Sequence, residues 1–304
     1  MTSLRIPALP VQSGAYRWLY ADVTAGDVTA VFIFMLGSVF SARYAASVSR
    51  GARPLEYCAV NFALYRGGVR EAWVLSEYPN AQLDAANTLH IGASTLHYDR
   101  RGHLVVNLRE RTTLWGRPME AQLTLEPRSP VGPEVQLVSG APHHWCPLAA
   151  HAHARLSVVS LGILGEGRGY HDTNWGDEPL GGSVPHWHWT RIHEPELTRV
   201  EYEPAGASAV VVEAGEGGTV LERRPSSLAE KVTSGWGLSV PRRLALGPGR
   251  TGVARLIESS PFYARLEARH GEVHALGEVA DFRRFHSPLV RWMAHFRTRV
   301  ERAA

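Results

Sequence analysis

Residues 169–176 read Gly-Tyr-His-Asp-Thr-Asn-Trp-Gly, setting a phenol, an imidazole, a carboxylic acid, a hydroxyl, an amide and an indole between two glycines. Such a run offers little to a hydrophobic core and much to the wall of a cavity. In a dry cavity, desolvation raises a carboxyl pKa, so the acid stays protonated near neutrality. A neutral acid facing an alkene can donate its proton to carbon. The cation left behind is stabilised by the faces of nearby indoles. Asp172 is the candidate acid, and Trp175, Trp187 and Trp189 are the candidate cation-facing rings. Tyr202 and Glu203, one strand later, supply a second phenol–carboxylate pair. The structural alternative is a β-turn in which Asn174-Trp175-Gly176 packs one part of the fold on another.

Elements that could position these groups are mostly strands. Residues 262–269 alternate apolar and polar, the period of a half-buried strand. Residues 104–108, 121–125, 209–212 and 253–257 are rich in β-formers and bounded by Gly, Pro or Asp. The apolar run 30–36 reads as a buried strand ending at Gly37. Turn signals at 66–68, 99–102, 213–218 and 247–249 separate short strands, as in a sandwich or barrel. One helix is expected near the end, capped at Ser287 with Pro288 in its first turn. Leu289, Met293, Phe296 and Val300 then share one face, expected to dock on the sheet, with a membrane-touching helix as the alternative. The boundary between two halves of similar texture is placed at 163/164, just before the polar signature.

Composition narrows the function classes. The 304 residues carry 44% hydrophobic and 20% charged side chains, enough for a real core. A net charge of +3 and a pI near 9.0 are too modest to imply nucleic acid, and no basic stripe carries stacking aromatics. Weak attraction to an anionic membrane surface remains open. Two cysteines, Cys58 and Cys146, are expected as buried free thiols rather than a disulfide framework. No apolar stretch approaches the roughly 20 residues a transmembrane helix needs. Gly247-Pro-Gly-Arg-Thr-Gly252 matches a dinucleotide fingerprint in letters, but a strand follows it, so it reads as a hairpin turn. The pairs His143-His144, His151-x-His153 and His186-x-His188 lack a carboxylate or Cys at ligand spacing, and no metal is expected. Ser38 and Ser41 do not form a nucleophile elbow; their loop is expected to cap a barrel or to line its mouth with Phe40.

An ordered series of motifs resembles the carotenoid 1,2-hydratase (hydroxyneurosporene synthase) family over nearly the whole chain. It comprises residues 16–22 (Tyr-Arg-Trp-Leu-Tyr-Ala-Asp), Gly37-Ser38-Val39-Phe40-Ser41, residues 61–65, His144-Trp145-x-Pro147, the signature, residues 260–265 and the closing 281–285. The resemblance implies an all-β fold of two tandem lipocalin-like β-barrels, 1–163 and 164–304, with a C-terminal helix. It implies a cofactor-free hydro-lyase that adds water across the terminal C1=C2 bond of an acyclic carotenoid such as neurosporene or lycopene. On that reading Asp172 and Glu203 are candidate acids, and His171, Asn174 and Tyr202 orient water or acid. Trp175 faces the cation; Tyr170, Thr173, Trp187, Trp189 and Phe40 contact substrate. The expected location is cytoplasmic, or peripheral to the inner membrane. Thr173 stands where relatives often carry a second His, and Tyr202-Glu203 where they carry Tyr-Asp. The alternatives kept open are a cyclising or pericyclic catalyst on a polyketide or terpenoid, and a non-catalytic lipid carrier.

Overall fold

A computed structural model describes residues 4–225 and 230–302. Alternation dominates it, and the described residues are mostly β. Among the described residues thirteen strands form one curled sheet, running from Arg299–Val300 at one edge through Val69–Tyr78, Cys58–Arg66, Val28–Leu36 and Tyr16–Ala25 to Ile163–Gly176. From there it continues through His143–Val158, Pro118–Pro127 and Leu104–Arg111 to the short strands near residue 83. A second sheet of seven strands contains Leu197–Pro204, His186–His193, Val273–Asp281 and Tyr263–His270 as successive neighbours.

The hydrophobic interior divides three ways. Alternate residues of the first sheet, such as Leu19, Ala21, Phe32, Phe62, Leu104, Val106 and Leu125, fill the space that sheet curls around. The second sheet packs Ile192, Leu266, Ala275 and Val279 against the hairpins that carry Val240 and Leu244. Between the sheets lies a third core in which Tyr20, Ile33, Met35, Trp145 and Tyr170 meet Trp187, Trp189, Tyr202, Tyr263 and Leu276. Because side chains alternate along a strand, each strand at this seam serves two cores.

The all-β class is as expected. The hydrogen bonding of the described residues draws one curled sheet and a second, smaller one, each with unjoined outer strands. Ile163–Gly176 is the hairpin partner of His143–Val158 and pairs on its other side with Tyr16–Ala25. The second sheet begins only at His186.

Several local expectations are met. Val28–Leu36 is buried throughout and ends at Gly37, whose φ of 69° a Cβ would strain. Residues 243–253 form the hairpin expected of the glycine run, Arg243–Ala245 pairing with Thr251–Val253. Cys58 and Cys146 are free and buried. Among the described residues no helix is long and apolar enough to cross a membrane.

Two expectations need correction. The polar row of Tyr263–His270 is not solvated along its length: Arg265 and Glu267 are buried, because a second layer covers that face. The terminal helix, Pro288–Phe296, does not bury the face predicted for it. Val290 and Ala294 pack inward, Leu289 and Phe296 stand in solvent, and Val300 has left the helix for a short parallel strand beside Glu77.

Candidate functional site

Register assembles the site. In Ile163–Gly176, residues 170, 172 and 174 face the seam. Tyr16–Ala25 pairs alongside so that Tyr20 lies opposite Asp172 and Trp18 opposite Asn174. On the next strand Ile33 and Met35 sit beside Tyr20 and Trp18. The second sheet supplies the facing wall through Trp187, Trp189, Tyr202, Tyr263 and Glu278. Together with Val39 and Phe40 from the loop after Gly37, these residues enclose a cavity of about 30 Å³, room for a water molecule.

Asp172 is the chemical centre of this cavity. Its Oδ2 accepts from Trp145 Nε1 at 2.8 Å and from the Tyr170 hydroxyl at 2.6 Å; among the described residues its Oδ1 meets only Asn174 Nδ2, at 3.4 Å. No cation pairs with it among the described residues. Burial therefore dominates and pushes its pKa from 3.8 up to about 7; the two donors oppose that rise, and the charge of nearby Glu278 adds to it. With Oδ2 engaged by two donors, the proton of the neutral acid is left to Oδ1.

Glu278 is the charged counterpart. Arg265 binds it through Nε at 3.0 Å and through the adjacent NH2 at 2.9 Å, and also reaches Glu258 and the Tyr65 hydroxyl. Burial raises the Glu278 pKa and Arg265 opposes the rise. Around these two acids the seam is aromatic: Trp18 and Trp187 rings lie 6.0 Å apart, Tyr20 and Trp189 5.3 Å, and Trp187 and Tyr202 6.1 Å. The hydroxyls of Tyr20 and Tyr263, the Trp189 indole N–H and Asn174 Oδ1 are buried with no partner in good hydrogen-bond geometry among the described residues. The two phenols lie beside the Asp22 and Glu278 carboxylates, while Asn174 Oδ1 and the Trp189 N–H have no such partner among the described residues, and the four together mark a place for a bound polar molecule.

Phe40 and Tyr263 also line a second, larger cavity of about 590 Å³, walled by Trp73, Leu75, Phe262, Trp292, Met293 and Phe296. The two cavities are thus neighbours across Phe40, one polar at its end and one almost wholly apolar.

Of the residues singled out from sequence, Tyr170, Asp172, Asn174, Trp187, Trp189, Tyr202 and Phe40 come together at the seam. The odd-numbered members of the signature do not. His171 points to the other face of its strand, where Nδ1 donates to the Tyr20 carbonyl and Nε2 accepts from the Tyr98 hydroxyl at 2.7 Å. Burial lowers its pKa to about 4, so both ring nitrogens are spoken for in the neutral form. Thr173 bonds the Trp18 carbonyl, and Trp175 stacks on His144 with the Arg17 guanidinium 4.7 Å over its ring. Glu203 is buried but lies one position from Tyr202, on the opposite side of its strand, and does not line the cavity. Ser41 caps the short helix Ala42–Ser47, accepting from Tyr44 N at 3.0 Å.

Sequence reasoning missed Trp18, Tyr20, Tyr263 and Glu278 as wall residues, and Trp145 as the donor to Asp172. One signal was available: in Val273–Asp281, Leu276, Glu278 and Ala280 share a face, so a single carboxylate interrupts an apolar row. The others gain meaning only from strand pairing.

Comparisons with known proteins converge. A family model described as "Carotenoid hydratase CrtC" matches residues 32–304. An acyclic carotenoid 1,2-hydratase of Thiocapsa roseopersicina is 30% identical over 95% of this chain and 74% of its own length. The enzyme of that name from Rubrivivax gelatinosus is 30% identical over 89% and 68%, and that from Rhodobacter capsulatus 27% over 86% and 94%. Among solved structures, an AttH-type protein from Nitrosomonas europaea superposes with a TM-score of 0.58 at 11% identity, covering 92% of this chain and 97% of the other. CghA with Sch210972 gives 0.52 at 13% identity over 91% and 94%. At such identities the two structures speak for the fold alone.

Proposed function

The chain belongs to the carotenoid hydratase CrtC family and is a hydro-lyase; we propose that it hydrates the terminal C1=C2 bond of an acyclic carotenoid, with Asp172 as the acid. The observation that carries this reading is a buried carboxyl, unpaired with any cation among the described residues, whose pKa stands at about 7 on an aromatic cavity. About half of such a group is protonated at neutral pH, which is what proton transfer to carbon requires.

The steps follow from that acid. The proton on Asp172 Oδ1 adds to C2, leaving a tertiary cation at C1 and a carboxylate on Asp172. Indole and phenol faces of Trp18, Trp187, Trp189 and Tyr202 stabilise the cation, and the Glu278 carboxylate, held by Arg265, adds a fixed negative charge at the same wall. A water molecule held by Asn174 Oδ1 and the hydroxyls of Tyr20 and Tyr263 bonds to C1. Its released proton returns to Asp172, so each turnover restores the acid with no electrons exchanged. Neurosporene and lycopene carry the required end group. Their long polyene lies in the apolar 590 Å³ cavity beyond Phe40, and the end group reaches Asp172 when the Phe40 side chain turns aside, because the small cavity with Phe40 in place has room only for a water. The two sheets act as tandem lipocalin-like units that hold the substrate between them rather than inside either one.

Purified protein incubated with lycopene or neurosporene in detergent should give a product heavier by one water, seen by mass spectrometry. An unchanged substrate with wild-type protein, under conditions where it demonstrably binds, would rule the reading out.

A further inference from the structure

Large apolar side chains crowd the outer mouth of the 590 Å³ cavity. Leu289, Trp292 and Phe296 follow one another at i, i+3 and i+7 on one face of the terminal helix. Trp236 stands across the mouth, and Leu114 and Trp115 form the tip of a neighbouring loop; the six are between 48% and 79% exposed. A groove of about 660 Å³ joins the loop to the cavity mouth, since Trp73, Trp236 and Arg297 line both. The helix has already buried its inward side through Val290 and Ala294, so these rings and chains are not displaced core. A contiguous apolar surface of this kind marks a binding face.

Charge identifies its partner. Arg70 and Arg117 line the groove with no carboxylate partner among the described residues; its two carboxylates, Glu71 and Glu258, are neutralised by Arg66 and Arg265, and Arg297 lies over Trp73 at 4.7 Å and 3.9 Å from Glu258. Indoles ringed by arginines match the boundary between acyl chains and phosphate headgroups. We propose that this face docks on an anionic lipid bilayer, with Leu289, Trp292, Phe296 and Trp115 entering the headgroup region and Arg70 and Arg117 meeting phosphates. Docking there sets the mouth of the apolar cavity against the bilayer interior. This rests on the carotenoid reading for its purpose: a water-insoluble polyene then passes from lipid to Asp172 without crossing solvent.

The test uses the full chain and sedimentation with vesicles of phosphatidylglycerol and phosphatidylcholine, with no carotenoid present. Wild-type protein should pellet with mixed vesicles, less at high salt, and far less with pure phosphatidylcholine. The double variant Leu289→Glu, Trp115→Glu should bind at least tenfold more weakly, while hydrating detergent-dispersed carotenoid at the wild-type rate; neither side chain lines the two substrate cavities. Equal pelleting of variant and wild type would overturn the proposal, as would self-association through this face without vesicle binding. If both proteins bind as expected but hydrate nothing in detergent, docking stands and the hydratase reading falls.

Discussion

The indole N–H of Trp145 donates to Asp172 Oδ2 at 2.8 Å, from the strand next to the one that carries the acid. That bond favours the carboxylate, yet burial overrides it and holds the pKa at about 7. Activity that needs the protonated form should therefore fall as pH rises through about 7. Trp145→Phe removes a donor to the charged state, so the falling limb of kcat/KM should move up by about one pH unit. A pH–rate profile unmoved in the variant would mean that Asp172 does not govern that limb.

Glu278→Gln should move the same limb the other way. The negative charge of Glu278 helps keep Asp172 protonated, and its loss leaves Arg265 with positive charge to spare. The limb should shift down by roughly half to one unit, with kcat reduced and KM little changed. Opposite signs from two neighbouring substitutions are hard to obtain from a general loss of folding.

Asp172→Asn tests the acid itself. Turnover should drop by about 10²- to 10⁴-fold, with carotenoid binding, read by absorbance, retained. Stability should change with a definite sign. The folded carboxyl titrates at about 7 and the unfolded one near 3.8, so the native state holds this proton more tightly. Wild-type stability therefore declines as pH rises from about 4 to about 7, by up to roughly 4 kcal/mol from this group. Asparagine lacks that slope. Denaturation midpoints at pH 5 and pH 8 should show the variant gaining on wild type at the higher pH; a constant difference would argue against a raised pKa.

Trp175 and Trp189 should separate cleanly. Trp175 faces away from the cavity under Arg17, so Trp175→Phe should leave kcat within about threefold of wild type. Trp189→Leu removes a ring from the cavity wall and should lower kcat by roughly tenfold or more, since cation–π stabilisation at a desolvated site reaches about 2 kcal/mol. The reverse ranking would return the cation to the other face of the signature strand.

The two sheets are also joined by charge. Arg191 of the second sheet binds Asp22 of the first at 2.5 Å, both side chains fully buried. Arg191→Met strands Asp22 without its partner and should cost about 3–5 kcal/mol, visible as a lower urea midpoint. Adding Asp22→Leu should recover most of that loss.

Much of the site was written in the signature. Residue types pointed to Asp172 as an acid in apolar surroundings, and the strand period already separated Tyr170, Asp172 and Asn174 from His171, Thr173 and Trp175. Applied strictly, that alternation would have removed His171 and Trp175 from the catalytic list, as it would have set Glu203 apart from Tyr202. The terminal helix shows the limit of the same kind of argument. Its apolar spacing predicted a docking face, but which apolar stripe turns inward depends on what lies beneath it, and Val290 and Ala294 fit there instead.

By itself the sequence determined the all-β class, the family, and the strand that carries the candidate acid, because these rest on local alternation and on motifs contiguous in the chain. Tertiary structure alone decided where the cavity lies and what completes it. Tyr20 reaches Asp172 only through strand pairing, and Glu278 only through the packing of one sheet on the other. Partners so distant along the chain leave no spacing to read, and a carboxyl's protonation is set by the water that packing removes from it.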